Sequence, residues 1–447
     1  MIEITDRITI DLIRKNNLVN KEITLKGWVW NVRSSGKIKF VILRDGTGFI
    51  QLVIEKNNVD ENVFEIAEKL TQESVIEVKG VVVENSRLKF DKNKTNFNVA
   101  FIGYEVIVKD LKVLYKTQDY PITPKEHGID FLLDNRHLWI RSSKQFAILR
   151  IRNTVKNSIR EFLNKEGFIE FDSPILTPSA CEGTTTLFEI DYFGDKMYLS
   201  QSGQLYVEAG ALAFNKVYCF GPTFRAEKSK TRRHLMEFWM VEPEIAFATL
   251  EDIIYLAQNM ISYIVSRVLE DNLYELLILE RDISKLENIK PPFYRITYKE
   301  AVELLNSKGI NFEFGQDFGA PEETVISESF DKPVIITNYP KSIKPFYMKL
   351  DDSKEFVLNM DILAPEGYGE IVGGSQREDD YETLLERMQE ENIPIKDYQW
   401  YLDLRKYGTV KHAGFGLGIE RTVAWICKLD HVRQAIPFPR MLYRYYP

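Results

Sequence analysis

One short segment with a high density of positive charge constrains the fold most. Between residues 224 and 238, two mainly apolar stretches flank a loop that carries Lys228, Lys230, Arg232 and Arg233. This spacing predicts two antiparallel strands joined by the loop. Like charges this close together repel one another unless an anion screens them. The segment therefore favours a hairpin that grips a polyphosphate, although a basic loop exposed to water would show the same charges.

The residues on either side of this loop fit nucleotide binding. Arg225 offers a planar fork to a phosphate or a carboxylate. Glu227, expected on the same strand face, would accept a hydrogen bond from an adenine amino group while Phe238 stacks on the ring. Arg233 and His234 would meet the outer phosphates. The order Phe-Arg-x-Glu, loop, His-x-x-x-Phe resembles motif 2 of the class II aminoacyl-tRNA synthetases, subgroup b.

Two further segments resemble the other motifs of that family. Residues 167–176, with Pro174, resemble motif 1, a strand that pairs across a dimer, and an amphipathic helix is predicted before it. Residues 414–421 read Gly-Phe-Gly-Leu-Gly-Ile-Glu-Arg and resemble motif 3. There Gly418 lets the backbone approach a nucleotide, and Arg421 holds the outer phosphates. The resemblance implies a class II catalytic domain and a homodimer formed through motif 1.

The predicted fold class is α+β, with an OB-fold barrel at residues 1–108, a linker at 109–130 and the catalytic domain at 131–447. By the resemblance, the catalytic domain has an antiparallel sheet flanked by helices. Five short segments with two-residue alternation predict the barrel: 23–30, 38–43, 49–54, 75–83 and 98–108. Pro121 and Pro124 stiffen the linker.

The barrel resembles the OB-fold that reads anticodons in the same subgroup. By that resemblance Phe40 would stack on the central anticodon base, Gln51 would bond to the edge of that base, and Arg33 would contact the neighbouring nucleotide. The alternation of Ile38, Phe40 and Ile42 equally fits a core position for Phe40. The net charge of -8 argues against general nucleic-acid affinity. Any RNA contact must therefore use local patches.

The segment 201–208 bears on the amino acid. It reads Gln-Ser-Gly-Gln-Leu-Tyr-Val-Glu. In aspartyl-tRNA synthetases the family pattern here, called below the aspartyl pattern, is Gln-Ser-Pro-Gln-Leu-aromatic-Lys-Gln. Val207 replaces the lysine that would neutralise a substrate carboxylate, and Glu208 replaces a glutamine. A substrate carboxylate that faced Glu208 would meet an uncompensated like charge, whereas an asparagine amide would donate to it. The pocket is therefore expected to favour asparagine.

Other contacts follow from the resemblance alone. Arg377 matches an arginine that binds the side-chain oxygen of either amino acid, and Glu182 with Gln204 would hold the substrate ammonium group. Glu370 and Asp361 resemble the carboxylates that hold Mg²⁺ against the ATP phosphates. Two carboxylates nine residues apart fit a solvated surface equally well. Some relatives carry serine at the position of Gly373.

The resemblance implies an ATP-dependent ligase. It would activate L-asparagine as an asparaginyl-adenylate and transfer the asparaginyl group to tRNA(Asn). Arg225, Glu370 and Arg421 would carry catalysis by positioning and by neutralising charge, without a protein nucleophile. The expected partners are ATP, Mg²⁺, L-asparagine and tRNA(Asn).

Three alternatives stay open. An aspartate-tRNA ligase, strict or non-discriminating, would share nearly every motif but should carry a cation at residue 207. An asparagine synthetase paralogue would lack the anticodon-reading barrel. An OB-fold RNA-binding or regulatory protein with an inactive catalytic domain would have lost some of the residues Arg225, Glu227, Glu370 and Arg421, which are all present.

Composition indicates a cytoplasmic enzyme without a membrane partner. No apolar run reaches the length of about 18 residues that a membrane span needs, and no signal peptide opens the chain. Cys181, Cys219 and Cys427 show no paired metal spacing and are expected to be buried, reduced thiols.

Overall fold

The computed structural model describes residues 8–88, 102–181, 187–229 and 231–447. Two of the predicted residues, Glu182 and Lys230, lie outside these ranges. The chain divides into two compact units between Phe146 and Ala147. Within the described ranges, no helix is long and apolar enough to cross a membrane. All three cysteines are buried, as the sequence predicts.

The first unit contains a closed five-stranded barrel. Its strands are β1 (Glu22–Ser35), β2 (Ile38–Arg44), β3 (Phe49–Glu55), β4 (Val75–Glu84) and β5 (Tyr104–Tyr115), in the order β1-β2-β3-β5-β4. Buried and exposed residues alternate along the first half of β1, as strand geometry requires. The unit also contains α1 (Ile10–Lys15), α2 (Glu61–Glu68), α3 (Ile129–Asp134) and α4 (Arg136–Trp139). The predicted OB-fold barrel is confirmed.

The strand β5 differs from its prediction at both ends. Residues 98–101 of the predicted segment 98–108 lie outside the described residues. At the other end β5 passes the predicted domain boundary at 108 and continues to Tyr115. A register shift opposite Lys79 and Gly80 leaves Lys109 and Asp110 exposed in succession. This bulge interrupts the two-residue alternation that would have marked the rest of the strand.

The second unit is built on an eight-stranded sheet with the order β12-β13-β14-β15-β16-β11-β10-β6 and a separate three-stranded sheet, β7-β9-β8. The strands are β6 (Ile169–Glu170), β7 (Leu176–Thr177), β8 (Glu189–Tyr192), β9 (Asp195–Leu199), β10 (Lys216–Phe224), β11 (Glu237–Ala246), β12 (Tyr294–Thr297), β13 (Val334–Thr337), β14 (Asn359–Ala364), β15 (Gly369–Gln376) and β16 (His412–Gly418). The inner pairs are antiparallel, as predicted, whereas β6 with β10 and β12 with β13 are parallel. The sheet is therefore mixed.

The described residues of this unit also form ten helices: α5 (Ser143–Lys165), α6 (Gln204–Phe214), α7 (Leu250–Asp271), α8 (Leu273–Ile278), α9 (Ser284–Glu287), α10 (Tyr298–Ser307), α11 (Ala320–Glu328), α12 (Tyr381–Glu390), α13 (Gln399–Lys406) and α14 (Ile419–Ile426). The helix predicted before motif 1 is α5. The predicted strand of motif 1 is interrupted after Glu170, and Pro174, which has no amide hydrogen to donate to a ladder, lies within the interruption. The segment forms two strands of two residues each, β6 before this proline and β7 after it.

One face of the large sheet is covered by helices. Ile253 and Ile261 of α7 and Trp425 of α14 belong to one buried cluster with Val241 and Leu417 of the sheet. These side chains recur at the spacing that an amphipathic helix needs to bury one face. Because neighbouring residues of a strand point to opposite sides, residues next to Val241 and Leu417 face away from this core.

Candidate active site

The other face of the large sheet forms the floor of a cleft. Phe238, Met240 and Glu242 alternate with the core residue Val241 along β11 and line this cleft. Its volume is about 1110 Å³, which suits a ligand of nucleotide size. Eleven of the predicted site residues line it: Gln204, Arg225, Glu227, Arg233, His234, Phe238, Asp361, Glu370, Arg377, Gly418 and Arg421.

The hairpin of motif 2 forms as predicted, with Phe224 of β10 opposite Glu237 of β11. The predicted place of Arg225 and Glu227 on the first strand is wrong, because β10 ends at Phe224. The Arg225 amide still donates to the Met236 carbonyl at 3.0 Å, and the chain then leaves the ladder. Both side chains nevertheless reach the cleft from this loop.

Four side chains of this hairpin form two pairs. The guanidinium carbon of Arg225 lies 5.4 Å from the centre of the Phe238 ring. The Oε2 atom of Glu227 lies 3.4 Å from Nε2 of His234. Burial and the nearby Arg421 lower the pKa of His234, so its imidazole is mainly neutral at pH 7. An aromatic face, a cation and a carboxylate thus lie close together in the cleft, a combination that suits a nucleotide.

Arg233 is more strongly engaged with the protein than the sequence predicts. Its guanidinium donates to Glu323 at 2.9 Å, to Thr324 at 2.5 Å and to the Gly367 carbonyl at 2.6 Å. These bonds join the hairpin loop to α11 and to the turn between β14 and β15. Contact between Arg233 and the outer phosphates stays a prediction, and such contact would have to share these donors.

Glu370 and Arg421 meet in the part of the cleft where the outer phosphates of ATP are predicted to bind, called here the phosphate end. The Nη1 atom of Arg421 lies 3.2 Å from Oε2 of Glu370 and donates to the Glu370 carbonyl at 3.0 Å. Burial opposes ionisation of Glu370, but Arg421 and Lys344 outweigh it and lower the pKa of this carboxyl. Glu370 is therefore ionised at neutral pH, as a metal ligand must be.

The space between Asp361 and Glu370 is kept open by Gly373. A Cβ atom on Gly373 would lie 2.9 Å from Oε1 of Glu370 and 3.6 Å from Oδ1 of Asp361. In the described part of the chain, no group of three or more His, Cys, Asp or Glu side chains has the arrangement of a metal site. Mg²⁺ commonly takes only one or two carboxylates together with phosphate oxygens and water. The two carboxylates therefore fit this ion as a partner of a nucleotide.

Further charged residues surround this pair. The Nζ atom of Lys344 donates to Oδ2 of Asp361 at 2.7 Å. Glu323 accepts a bond from the Glu370 amide at 3.1 Å. Burial and the charge of Glu370 raise the pKa of Glu323 to about 7. Carboxylates and cations thus alternate at the phosphate end, so that the charge of each is partly compensated.

The other end of the cleft contains the segment between β9 and α6. The Gly203 amide donates to Oε2 of Glu242 at 2.8 Å, and the Ser202 hydroxyl bonds to Oε1 of the same carboxylate. A Cβ atom on Gly203 would lie 2.5 Å from the Cys219 sulfur and 2.7 Å from the Ser173 hydroxyl. A proline here, as in the aspartyl pattern, would lack the amide hydrogen and would not fit. Gly203 therefore fixes the start of α6, where Gln204 enters the cleft.

The electrostatic argument made for Glu208 is wrong in the structure. Glu208 is fully buried, and its carboxylate accepts bonds from Arg405 at 2.7 Å, His412 at 3.0 Å, Tyr401 at 2.8 Å and Gln204 at 3.2 Å. Burial opposes its ionisation, but the cations around it lower the pKa of Glu208. Its charge is thus compensated behind the cleft rather than exposed to the substrate. A role in reading the asparagine amide stays a prediction, and the bond to Gln204 is its visible link to the cleft.

Val207 faces a small apolar cluster. It is buried with Ala211, Val217 and Cys219, and Phe171 packs against this group. These side chains carry no charge, and none of them lines the cleft. The expected absence of positive charge at this position therefore extends to its neighbours in the cluster.

Arg377 lines the cleft while it is held by a carboxylate. Its Nε and Nη2 atoms donate to Glu244 at 3.0 and 2.8 Å, and Nη1 donates to the Ser375 hydroxyl at 2.8 Å. Burial alone would lower the pKa of the guanidinium, but Glu244 and Glu208 raise it. Arg377 is thus a fixed cation in the cleft, which suits the predicted contact with a side-chain oxygen.

The predicted anticodon residues form a separate group on the barrel. The guanidinium carbon of Arg33 lies 5.7 Å from the centre of the Phe40 ring. Arg33 donates to Oε1 of Gln51 at 3.3 Å, and Gln51 donates to Glu105 at 2.9 Å. Phe40 is only partly buried, unlike Val41, which belongs to the core. The structure therefore places Phe40 outside the fully buried core of the barrel, and stacking on a base stays a prediction.

Two protein-family models match the chain. The model of class II tRNA synthetases (D, K and N) covers residues 128–442. The model of an OB-fold nucleic acid binding domain covers residues 23–114. The chain belongs to the class II tRNA synthetases (D, K and N). The resemblance of its three motifs to that class is therefore confirmed.

Similar members of this synthetase family extend over almost the whole chain. The asparagine–tRNA ligase of Desulforamulus reducens is 57% identical over 430 residues, which are 96% of this chain and 97% of that protein. Asparaginyl-tRNA synthetase from Pyrococcus horikoshii, complexed with asparaginyl-adenylate, is 46% identical with a TM-score of 0.91, and the match covers 100% of both chains. The aspartyl tRNA synthetase from Entamoeba histolytica is 25% identical with a TM-score of 0.80, covering 99% of this chain and 93% of its own.

Several residues of this synthetase cleft were missed by reasoning from sequence. Glu242 was detectable, because it follows Phe238 by two strand periods and must share its face of β11. Lys344, Glu323 and Glu244 had no such signal. Lys344 and Glu323 lie in a region without a recognisable motif. In the sequence, Glu244 cannot be distinguished from any other alternating residue of a strand.

Proposed function

We propose that this protein activates L-asparagine with ATP and transfers the asparaginyl group to tRNA(Asn). The observation that carries the proposal is the full-length similarity to the Desulforamulus ligase together with the cleft described above. Val207 supports asparagine over aspartate, because the lysine that the aspartyl pattern has at this position, an additional cation for a substrate carboxylate, is absent. The barrel supports a tRNA substrate and disfavours a synthetase paralogue that releases free asparagine.

The first step needs positioning and charge neutralisation only. An oxygen of the asparagine α-carboxylate attacks the α-phosphorus of ATP, and the bond to pyrophosphate breaks, which leaves asparaginyl-adenylate. Arg225 would bridge the carboxylate and the α-phosphate, while Phe238 holds the adenine. Arg421 and His234 would bind the outer phosphates that leave as pyrophosphate. In the second step a ribose hydroxyl of the tRNA attacks the asparaginyl carbonyl, and AMP leaves.

Mg²⁺ is proposed to bind between Asp361 and Glu370. Both carboxylates border the space that Gly373 leaves open, and hard oxygen ligands suit this ion. Bound there, Mg²⁺ would neutralise charge on the pyrophosphate leaving group. Arg421 would then be released from Glu370 to donate to phosphate.

The substrate's own polar groups would be held at the other end of the cleft. Gln204 is proposed to accept from the substrate ammonium group, together with Glu182. The Gln204 side-chain nitrogen donates to Glu208 at 3.2 Å, so its oxygen is left to face the cleft as an acceptor. Arg377 would donate to the side-chain oxygen of asparagine.

A homodimer through motif 1 is proposed on the basis of exposed apolar residues. Ile169, Ile175 and Leu176 are 48%, 44% and 37% exposed, and Phe214 is 54% exposed. Pro174 lies within this group and is also exposed. Exposed apolar side chains on one segment and a neighbouring helix are typical of a protein–protein interface.

The buried cysteines are compatible with the cytosol, the expected compartment.

The decisive experiment is ATP–pyrophosphate exchange with each proteinogenic amino acid. We expect exchange with asparagine alone at low amino-acid concentration. Aspartate that supports exchange with similar kcat/KM would contradict the proposed selectivity. Exchange without subsequent charging of tRNA(Asn) would contradict the second step. The variant Arg225→Ala is the inactive control for the exchange assay. It removes the proposed bridging residue and leaves the barrel unchanged.

A further inference from the structure

Lys344 is a buried cation at the phosphate end of the cleft. Its ammonium nitrogen lies 2.7 Å from Oδ2 of Asp361, and its side chain is only 13% exposed. The same nitrogen lies 4.0 Å from the centre of the Tyr339 ring. The carboxylates of Asp317 and Glu370 are close enough to act on its charge. The ammonium group thus has one carboxylate at hydrogen-bond distance and an aromatic face beside it, and the charges of two further carboxylates raise the pKa of Lys344.

The backbone around Lys344 is held by one buried arginine. The Nη2 atom of Arg387 donates to the carbonyls of Lys344 and Pro345 at 3.0 and 3.2 Å, and Nη1 donates to the Met348 carbonyl at 3.2 Å. Arg387 is 3% exposed. The main chain of this loop is therefore fixed, whereas the lysine side chain retains its own rotatable bonds. The ammonium group can move without a change in the loop.

An ammonium group and a divalent ion compete for the charge of the same carboxylate. Lys344 donates to Oδ2 of Asp361, while Oδ1 of the same carboxylate borders the space beside Gly373, where the proposed Mg²⁺ would bind. Two cations on the two oxygens of one carboxylate would repel each other. The ammonium group therefore opposes metal binding to the free protein unless it moves away.

We propose that Lys344 is a built-in counter-ion that holds Asp361 in the free enzyme and yields it to the metal ion that arrives with ATP. This inference rests on the proposed role of Asp361 in metal binding. ATP brings phosphate oxygens that accept the displaced ammonium group, so the exchange leaves no buried charge unpaired. The metal site consequently becomes strong only when the nucleotide is present. Lys344 acts as a positioning residue for Asp361 and as a barrier to metal binding without substrate.

The test measures binding of Mn²⁺, used as a probe for Mg²⁺, to the full chain without ATP. Electron paramagnetic resonance of free Mn²⁺ would compare the wild type with Lys344→Met. We expect the variant to bind Mn²⁺ about tenfold more tightly, which corresponds to about 1.4 kcal/mol. Lys341→Met is the matched control, because it removes a lysine of the same loop that pairs with Glu390 at 3.4 Å instead. The control should bind Mn²⁺ as the wild type does.

Two further variants make the outcome decisive. Asp361→Asn in the Lys344→Met background should abolish the gain in Mn²⁺ affinity. If Lys344→Met does not fold, Lys344→Arg decides, because the longer guanidinium should hold Asp361 more firmly and weaken Mn²⁺ binding below that of the wild type. Unchanged Mn²⁺ affinity in the folded lysine variants would overturn the inference. Failure of the proposed function is separable, since it would show as absent asparagine-dependent exchange in the wild type.

Discussion

Replacing Glu208 with glutamine should destabilise the protein through charges that lie behind the cleft. Among the described residues, Glu208 is the only carboxylate within ion-pair distance of Arg405, and both side chains are fully buried. Glutamine would leave this cation without a counter-charge and would turn an NH₂ group toward other donors. Removing one partner of a buried ion pair typically costs about 3 to 5 kcal/mol. We expect a loss near the lower value, about 3 kcal/mol, because Arg405 keeps its bond to the Glu378 carbonyl at 2.8 Å.

The pH dependence of this loss follows from the lowered pKa of Glu208. Burial opposes its ionisation, but Arg405 and His412 bring the folded pKa below the ordinary value of 4.5. A lowered carboxyl pKa contributes stability that is present above the unfolded value and is lost as the pH falls through the folded value. The difference between wild type and Glu208→Gln should therefore be constant between about pH 5 and 7 and should shrink only in stronger acid.

The assay combines urea unfolding with exchange on one preparation. Tyr401→Phe is the control, because it removes one neutral donor to Glu208 and should cost only about 1 kcal/mol. The same Glu208→Gln sample should show a weaker preference for asparagine over aspartate, since Gln204 loses its fixed orientation. A stability loss below that of Tyr401→Phe would refute the role of the buried charge. Unchanged selectivity at full folding would mean that the amide is read by other residues.

Four further outcomes are expected. Arg225→Ala should lower pyrophosphate exchange by at least about a hundredfold without a change in the unfolding midpoint, and near-normal exchange would reject its bridging role. Phe40→Ala should weaken tRNA charging about tenfold, in line with about 1 to 3 kcal/mol per stacked base, and should spare exchange; a loss of stability with normal charging would place the ring in the core. Gly203→Ala should raise the KM for asparagine and cost about 1 to 3 kcal/mol of stability through overpacking, whereas an unaffected enzyme would show that the start of α6 tolerates displacement. Phe214→Asp should yield monomers in light scattering, and an intact dimer would move the interface elsewhere.

The parts of the site that were predictable from sequence depend on short-range pattern. The hairpin was predictable because its strands are consecutive and its loop concentrates like charges. The helix before motif 1 was predictable because its apolar residues recur at the helical period. Gly418 and Arg421 stood in a motif whose spacing fixes their common position. In each case the relevant residues are close in the chain, so local geometry alone relates them.

The prediction about Glu208 was wrong because the partners of this carboxylate are distant in the chain. Gln204 and Glu208 are one helical turn apart, so their contact could be inferred from sequence. Arg405 and His412, which bond to the Glu208 carboxylate, lie 197 and 204 residues further along the chain. No periodicity connects such distant residues, and a carboxylate whose partners are unknown reads as an exposed charge. The bonds between Arg233 and α11 were not predictable for the same reason, because Glu323 and Thr324 lie 90 and 91 residues further along the chain.

Most charges at the phosphate end are already paired in the free protein. Arg421 is joined to Glu370, Arg233 to Glu323, and Lys344 to Asp361. A polyphosphate alone would draw the cations away and leave carboxylates buried without partners, whereas a metal ion alone would do the reverse. Only the two together would satisfy both sets, because the phosphates would take the cations and the metal would take the carboxylates. On the proposed function, this pairing would lead the cleft to bind the metal–nucleotide complex in preference to either component, with its charged residues in place before the substrates arrive.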